Sequence, residues 1–332
     1  MKLGEGKPPR EILENIVYKH FSELFDPDVV QGPAFGEDAG VVRMGDGFLV
    51  SHTDPITTAS RFSGWLSIHI ASNDVAVRGA RPRWLLTTIL LKPGTDSSEL
   101  EEIIIQMKKA ASSINTVIIG GHTEVTPGIP RTIIVTTAIG YTRKRVIRTC
   151  DARPGDLILV AGPVGGEGAS VIAWDFPDKL RDKGVSEEII VKARDYVWRV
   201  SVVDKALAIR DYVSSMHDPT EGGILEGLLE TAIASNTTIR VYVDKVKVDD
   251  VVEAVTKPLG INPLKLLSSG ALIATVPRNN VRDVTSILES KKIPYSICGE
   301  VLRGEPVLEV IEGSRKTVVK EAIVDEIYKL WS

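Results

Sequence analysis

The sequence has few cysteines and no long hydrophobic run. Its two cysteines, Cys150 and Cys298, are too few for a disulfide framework and lack the paired spacing of a zinc site. We interpret them as small buried hydrophobes in a reducing compartment. No apolar stretch approaches the roughly 18 residues of a membrane span, and residues 1–10 are polar rather than signal-like. These absences predict a cytoplasmic protein without a membrane segment.

Aromatic residues and net charge are also low. Phe, Trp and Tyr make up 5% of the chain, which leaves few surfaces on which bases could stack. The 40 Lys and Arg nearly balance the 44 Asp and Glu, and a formal charge of -4 gives no bulk attraction to nucleic acid. Glutamine occurs only as Gln31 and Gln106 while Glu and Lys abound, a bias typical of a thermophilic source. We expect no nucleic acid and no membrane among the partners.

The length and composition indicate a two-domain globular protein. The chain has 332 residues, of which 43% are hydrophobic and 25% charged, enough to bury a large core. A turn cluster at 151–155 precedes a fresh apolar strand, so we place the boundary there, with domains at 1–150 and 151–332. The first half alternates strands and helices, which is typical of an α/β unit.

Hydrophobic periodicity predicts the main elements of both halves. We expect helices at 9–24, 65–77, 97–113, 191–209, 224–234 and 281–289. We expect a hairpin over 41–54 and strands at 84–91, 117–119, 132–140, 157–161, 239–243, 272–276 and 295–301.

Four aspartates stand where a strand or helix ends in a turn, each beside small neighbours: Asp38, Asp54, Asp74 and Asp218. Carboxylates from separate loops that meet in one cleft are what Mg²⁺ requires, since it binds through a few carboxylates and substrate phosphates. The alternative is that they are turn and cap residues serving only the backbone. Sequence alone does not show whether they converge.

Glycine-rich segments offer a second kind of candidate. Gly120 and Gly121 follow an apolar strand and would let backbone amides approach a phosphate, although such a pair is also a common turn. A P-loop is absent, and 162–168 does not match the dinucleotide fingerprint, so standard NTPase and Rossmann sites are excluded. His122 and His217 lie beside these loops, as hydrogen-bonding or catalytic residues. The N-terminal loop with Lys7 would fold over a phosphate or form a disordered tail.

Five motifs occur in a recognisable order: Gly36-Glu37-Asp38-Ala39-Gly40, His52-Thr53-Asp54-Pro55-Ile56, Asn73-Asp74 followed by Gly79-Ala80-Arg81-Pro82, Gly120-Gly121-His122-Thr123-Glu124, and Asp218-Pro219-Thr220-Glu221-Gly222-Gly223. In this order they resemble the aminoimidazole ribonucleotide synthetase, or PurM-like, superfamily over essentially the whole chain. The last motif is most similar to the Asp-Pro-Thr-Arg-Gly-Gly of the hydrogenase maturation branch, the HypE factors.

The resemblance implies a PurM-like two-domain fold, in which an N-terminal α/β domain forms a homodimer and a C-terminal α+β domain completes a cleft for ATP. Mg²⁺ would be held by Asp38, Asp54 and Asp74, with Asp218 facing the metal or the acceptor. Asp218 and His122 would be the catalytic candidates. The residues implied in cofactor binding are Lys7, Gly36, Asn73, Gly120, Gly121, Thr123, Thr220 and Gly222.

The sequence also departs from the HypE pattern. HypE carries a C-terminal Pro-Arg-Ile-Cys tail whose cysteine receives a carbamoyl group, whereas this sequence ends Asp325-Glu326-Ile327-Tyr328-Lys329-Leu330-Trp331-Ser332. This departure argues against cyanide-ligand synthesis by that route. Glu221 also replaces the arginine of the HypE motif.

These features predict ATP-dependent phosphoryl transfer to an amide or phosphate oxygen of a small acceptor. One alternative is a nucleotide-binding maturation factor that docks a partner protein and has little catalysis of its own. Another is a phosphate-ester hydrolase on the same scaffold.

Overall fold

The computed structural model describes Leu3, residues 8–57 and residues 61–330. Its first half is built on a six-stranded sheet with the order β1-β2-β3-β6-β4-β5. The strands are β1 (Val29–Gln31), β2 (Gly40–Met44), β3 (Gly47–Ile56), β4 (Arg81–Leu91), β5 (Val117–Val125) and β6 (Ile133–Thr142). The helices of this half are α1 (Arg10–Ile12), α2 (Lys19–Ser22), α3 (Ser63–Val77) and α4 (Ser97–Ser113), with a π-helical turn at Leu13–Tyr18.

The second half is built on a seven-stranded sheet with the order β13-β12-β9-β11-β7-β10-β8. Its strands are β7 (Leu157–Ala161), β8 (Ser215–His217), β9 (Thr238–Tyr242), β10 (Leu272–Val276), β11 (Tyr295–Leu302), β12 (Val307–Glu312) and β13 (Arg315–Val319). Its helices are α5 (Gly166–Asp175), α6 (Pro177–Asp182), α7 (Glu187–Arg194), α8 (Val203–Ile209), α9 (Gly223–Ala234), α10 (Asp250–Thr256) and α11 (Val281–Ser290). The domain boundary near residue 150 stays a prediction.

Helix α3 is the central support of the first half. It is almost entirely buried, with Ile68 and Val75 in the core beneath the sheet. The helix ends at Val77 because Gly79 adopts a φ of 80° and its N–H donates to the carbonyl of Ala76 at 2.9 Å. The predicted end of this helix at residue 77 is thereby confirmed, and the chain turns directly into β4.

The helix predicted over 191–209 is broken in the structure. Residues Glu187–Arg194 and Val203–Ile209 are α-helical, but the segment between them leaves the helix. Asn73 explains the break: its amide donates to the carbonyl of Val200 at 2.9 Å and accepts from the N–H of Val202 at 2.8 Å. A side chain of α3 thus fastens the second half of the chain to the first.

The segment predicted as a glycine turn is part of a strand. Residues 120–124 lie inside β5, which pairs in parallel with β4 at the edge of the sheet. Gly121 lies so close to β4 that a Cβ there would collide with the carbonyl oxygen of Thr87. This close approach requires a glycine at 121, so residues 120–121 do not form a turn. Their contact with a phosphate stays a prediction.

The N-terminal helical segment lies on the outside of the molecule. A helix over 9–24 was predicted, and residues 10–22 are helical, but none of their side chains is buried. Among the helices that the structure describes, we find none with the length and apolar character needed to cross a membrane.

Candidate metal centre

Three of the four predicted aspartates converge where the two halves of the chain meet. Carboxylate oxygens of Asp38, Asp74 and Asp218 lie within 4.8 Å of one another. Ligand atoms of His52, Asp54 and Asp74 form a second group of the same size, so Asp74 belongs to both. The family resemblance implied that the aspartates meet, whereas His52 was not predicted to join them. Each group has the ligand spacing that a cation requires.

Each carboxylate is delivered by a different element. Asp38 lies in the loop between β1 and β2, Asp54 near the end of β3, and Asp74 in the last turn of α3. Asp218 follows β8, the strand whose His217 pairs with Ile273 of β10. The second sheet therefore brings Asp218 against the three aspartates of the first half.

Asp218 is a buried carboxylate without a conventional partner. It is 3% exposed, and neither carboxylate oxygen has a hydrogen-bond partner among the residues that the structure describes. Burial raises the pKa of Asp218 well above its usual range, and the negative charge of Asp38 adds to the effect. Such a group costs stability when it is ionised and unpaired.

Asp74 is in a similar state. Burial raises its pKa well above the usual range, and the charges of Asp218 and Asp38 raise it further. His52 Nε2 lies 3.5 Å from Asp74 Oδ2, but burial lowers the pKa of His52 and favours its neutral form. Hard oxygen donors that repel one another are the set that a divalent cation such as Mg²⁺ fits.

Asp38 is held differently, by two buried cations. Arg78 Nη2 donates to Asp38 Oδ2 at 2.8 Å, and His217 Nδ1 lies 2.6 Å from Asp38 Oδ1. Burial alone would raise the pKa of Asp38, but the charges of His217 and Arg78 outweigh burial and lower it. Asp38 therefore remains ionised with both oxygens engaged by protein cations.

Arg78 and His217 are themselves anchored. Arg78 is fully buried and also contacts Glu37 Oε2 at 3.0 Å and Thr149 Oγ1 at 2.9 Å. His217 Nε2 lies 2.9 Å from Glu230 Oε2. Burial would lower the pKa of His217, yet the charge and hydrogen bonding of its carboxylate partners raise it well above its usual value.

A further carboxylate, Glu167, lies in the first turn of α5. Its Oε2 accepts from the N–H of Ser269 at 3.1 Å. Burial raises the pKa of Glu167, and the negative charge of Asp54 raises it further. Sequence analysis missed it because 162–168 was read as a failed nucleotide motif rather than as the start of a helix.

The Asp218–Gly223 loop is closed by the C-terminal segment. Gly222 has a φ of 79°, and its N–H donates to Asp325 Oδ2 at 2.8 Å. The Thr220 carbonyl accepts from the N–H groups of Gly223 and Ser268. The amide of Gly222, predicted to bind the cofactor, is therefore engaged by Asp325, whose pKa burial raises to about 6.

Asn73 and Gly36 have structural contacts in place of the predicted cofactor contacts. Asn73 is fully buried, and its amide oxygen and nitrogen are bonded to backbone, so its predicted contact with phosphate has no support in this arrangement and stays a prediction. Gly36 has a φ of 76° and packs on α9, where a Cβ would lie 2.8 Å from the carbonyl oxygen of Glu230. Lys7 lies outside the described residues.

The β5 residues lie apart from the aspartates within one chain. Gly121 pairs with Thr87, which pairs with Thr136, which pairs with Asp54, so three strand spacings separate the two ends. At about 4.8 Å per spacing the separation is about 14 Å. Gly120, His122 and Thr123 share this edge, and His122 contacts Glu124 at 3.1 Å on the exposed surface. The structure does not bring His122 to the carboxylates of its own chain.

Neither cysteine has the character of a nucleophile. Burial, with the charge of Glu37, raises the pKa of the Cys150 thiol to about 12. Burial raises that of Cys298 to about 12 as well. Both thiols are therefore protonated at neutral pH, as expected of buried structural cysteines.

Comparison with known proteins agrees with this architecture. The sequence profile of the AIR synthase related protein N-terminal domain matches residues 36–142, and that of the C-terminal domain matches residues 153–311. The chain belongs to the AIR synthase-related, PurM-like family, and the predicted two-domain PurM-like fold is confirmed.

Within that family the chain is similar to HypE proteins. The carbamoyl dehydratase HypE of Cupriavidus necator is 30% identical over 82% of this chain and 77% of its own length. The thiamine-monophosphate kinase of Pyrococcus horikoshii is 26% identical over 89% of this chain and 90% of its own length.

Two solved structures share the fold. Hydrogenase maturation protein HypE in complex with ATP gives a TM-score of 0.71 at 22% identity, covering 98% of each chain. A HypE-HypF complex gives a TM-score of 0.73 at 22% identity, covering 92% of this chain and 99% of the other.

Proposed function

We propose that this protein binds ATP with Mg²⁺ and transfers the γ-phosphoryl group to an oxygen of a small acceptor. The observation that carries the proposal is the state of Asp218, a buried carboxylate from the second half with neither oxygen hydrogen-bonded among the described residues. It faces Asp74 from the first half within 4.8 Å. Two carboxylates that face each other at this distance have a physical reason to persist if a cation joins them.

The carboxylates would have different roles at the site. Asp74 and Asp218 would hold Mg²⁺ directly, with Asp54 joining through the second group around Asp74. Asp38 would act mainly as an oriented negative charge, since Arg78 and His217 already engage its two oxygens. Mg²⁺ bound there would neutralise charge on the phosphate oxygens during transfer.

The rest of the site suits a reaction that depends on positioning. Phosphoryl transfer needs little covalent chemistry from the protein, so aligned charges suffice without a protein nucleophile. Burial raises the pKa of Glu167 and the charge of Asp54 raises it further, so Glu167 would accept a proton more readily than an exposed glutamate. Glu167 is therefore our candidate for the residue that takes the acceptor proton.

The acceptor oxygen would belong to an amide or to a phosphate. The similar proteins include one of each kind by name, a carbamoyl dehydratase and a thiamine-monophosphate kinase. Phosphorylation of an amide oxygen converts it into a leaving group, which links kinase chemistry to dehydration. Phosphorylation of a phosphate ends at the diphosphate.

A second candidate function is that of a nucleotide-binding maturation factor that docks a partner protein. The fold shared with the HypE-HypF complex favours it. If this is the function, ATP would bind tightly, and adding a small acceptor would not change the rate at which ATP is consumed.

The protein would act as a homodimer through the first sheet. The edge strand β5 exposes Val117, Ile119 and Val125, each by 57% or more. A free strand edge with a row of apolar side chains is a surface that a second copy would cover. Because Gly120, Gly121, His122 and Thr123 lie on this strand, their predicted roles at the ATP site depend on the dimer.

ATP consumption tests the proposal. Wild-type protein is incubated with Mg-ATP and either a carbamoyl compound or a phosphate monoester, and ADP and phosphorylated product are measured. We expect acceptor-dependent turnover that Asp74→Asn reduces by about a hundredfold or more. Asp283→Asn, on the exposed face of α11, is the charge-matched control and should behave as wild type. Normal turnover in Asp74→Asn would reject the metal assignment, and tight ATP binding without any turnover would favour the docking function.

A further inference from the structure

A basic pocket lies away from the acidic cluster, between the first sheet and α8. It has a volume of about 480 Å³. Four of its seven lining residues are cationic and none is a carboxylate: Arg81, Tyr141, Thr142, Arg143, Lys144, Leu207 and Arg210. This volume falls in the range of small-molecule sites, about 300 to 1,000 Å³.

The fold brings these cations together from distant parts of the sequence. Arg81 opens β4 and is paired with Tyr141 near the end of β6, so this end of the sheet carries the basic loop that follows β6. Arg210 comes from the end of α8 in the second half, and its Nη1 donates to the carbonyl of Gly79 at 2.7 Å. The pocket therefore has a fixed wall on each side.

The cations are available to a ligand. Within the described part of the chain, Arg210 has no carboxylate at ion-pair distance. Arg143 and Lys144 contact Asp46 at 2.8 Å and Asp211 at 2.6 Å, but these four side chains are 51% to 73% exposed. Exposed pairs of this kind contribute little, typically about 0–1 kcal/mol, so an anion can replace the carboxylates at small cost.

Arg81 is held more loosely than Arg143 and Lys144, because the carboxylate oxygen that it contacts, on Asp204, is 3.8 Å away. The pocket is also separate from the candidate metal centre. Arg81 lies six positions along β4 from Thr87, the residue in the same row as Asp54, and six steps correspond to about 20 Å along the strand. A ligand here would not share the Asp74 and Asp218 carboxylates.

We propose that this pocket binds a small phosphorylated anion bearing two or more phosphate groups. Arginine forks recognise phosphate through paired charge-assisted hydrogen bonds, and three of the four cations are arginines. The compact cavity suits a metabolite rather than an extended peptide. The net charge of -4 argues against nucleic acid as the occupant.

Calorimetry with inorganic pyrophosphate in chelator-containing buffer tests the site, because without divalent cations the carboxylates of the metal centre repel the probe. We expect saturable binding that the double variant Arg81→Gln, Arg143→Gln weakens by about tenfold or more. Arg278→Gln, which removes a similarly exposed arginine paired with Glu300, is the matched control and should bind as wild type.

Three outcomes would overturn the proposal. They are no saturable binding by the wild type, an equal loss in Arg278→Gln, and displacement of pyrophosphate by an equal concentration of an oligoglutamate peptide, which would assign the pocket to an acidic protein partner. Thermal unfolding of the double variant should match the wild type, because the two side chains are 45% and 73% exposed. The experiment uses neither ATP nor Mg²⁺, so its failure would leave the proposed function unaffected.

Discussion

His217 bridges two carboxylates, with Nδ1 2.6 Å from Asp38 Oδ1 and Nε2 2.9 Å from Glu230 Oε2. Asp38 comes from the first half of the chain, and His217 and Glu230 from the second. The imidazolium therefore stabilises the arrangement of the halves and fixes one oxygen of Asp38, while Arg78 fixes the other.

Replacing His217 should destabilise the protein in a pH-dependent way. His217→Gln removes one partner of a buried charge network, which we expect to cost about 3–5 kcal/mol. The folded-state pKa of His217 is raised, so its contribution is complete below the unfolded pKa near 6.5 and is lost as pH rises through the folded value. Thermal unfolding without metal should therefore show a larger gap between wild type and variant at about pH 6 than at about pH 9. A gap that stays constant or widens with pH would contradict the bridging role.

Asp218→Asn should stabilise the metal-free protein and impair function. The raised pKa of Asp218 means that ionising it in the folded state costs stability. That cost is absent below the unfolded pKa near 3.9 and is complete above the folded value, so the variant should gain most at neutral or higher pH. Differential scanning fluorimetry with chelator should give a higher unfolding temperature for the variant at neutral pH and a smaller difference as the pH falls. With saturating Mg-ATP the wild type should have the higher unfolding temperature. A variant that is less stable than the wild type at every pH without metal would argue against an unpaired carboxylate at Asp218.

The paired glycines of β5 should respond differently to alanine. Gly121→Ala forces a Cβ against the Thr87 carbonyl, whereas a Cβ on Gly120 would meet Leu86 Cδ2 at 3.4 Å, an ordinary contact. We expect Gly121→Ala to lose about 2 kcal/mol or more and Gly120→Ala to lose much less. Denaturant unfolding of the two variants measures this. Equal losses would mean that β5 is not held against β4 as described.

The β5 edge should control the oligomeric state. Ile119 is 57% exposed on β5, and Val318 is 46% exposed on β13, the edge of the second sheet. Ile119→Glu should convert a dimer to a monomer, because a carboxylate would be buried at the pairing surface. Val318→Glu should leave the dimer intact. Light scattering after size-exclusion chromatography distinguishes the two variants, and a dimer that survives Ile119→Glu would exclude this edge.

Much of the secondary structure follows from the sequence because it depends on local patterns. The predicted helix over 97–113 and the strands at 157–161 and 272–276 match the structure residue for residue. The β5 segment is an exception: glycines at 120–121 resemble a turn, and only the neighbouring strand shows that they permit close pairing. Likewise, the helix predicted over 191–209 is interrupted after Arg199 because Asn73, which is distant in sequence, binds the backbone there.

The candidate site was predicted only in part, because only some of its residues belong to local sequence patterns. The aspartates at the ends of helices and strands could be selected by their small neighbours in the sequence, and three of them meet in the structure. The buried partners Glu37, Arg78 and Glu230 were not assigned, and His217 was noted without its partners. An ion pair between residues as far apart as Asp38 and His217, about 180 positions, leaves no local pattern. One signal in the sequence pointed to Arg78. It lies directly before Gly79, in the same motif as Asp74, although an arginine at a helix end is ordinarily expected to be exposed to solvent.

The most direct test of the account is calorimetric titration with a nonhydrolysable ATP analogue, with and without Mg²⁺. The account predicts that wild-type protein binds the analogue only weakly in chelator and that Mg²⁺ strengthens binding by about a hundredfold. Asp218→Asn should lose most of that gain, while Asp283→Asn should keep it. Equal affinity with and without Mg²⁺, or an undiminished Mg²⁺ effect in Asp218→Asn, would contradict the claim that these carboxylates form the metal centre.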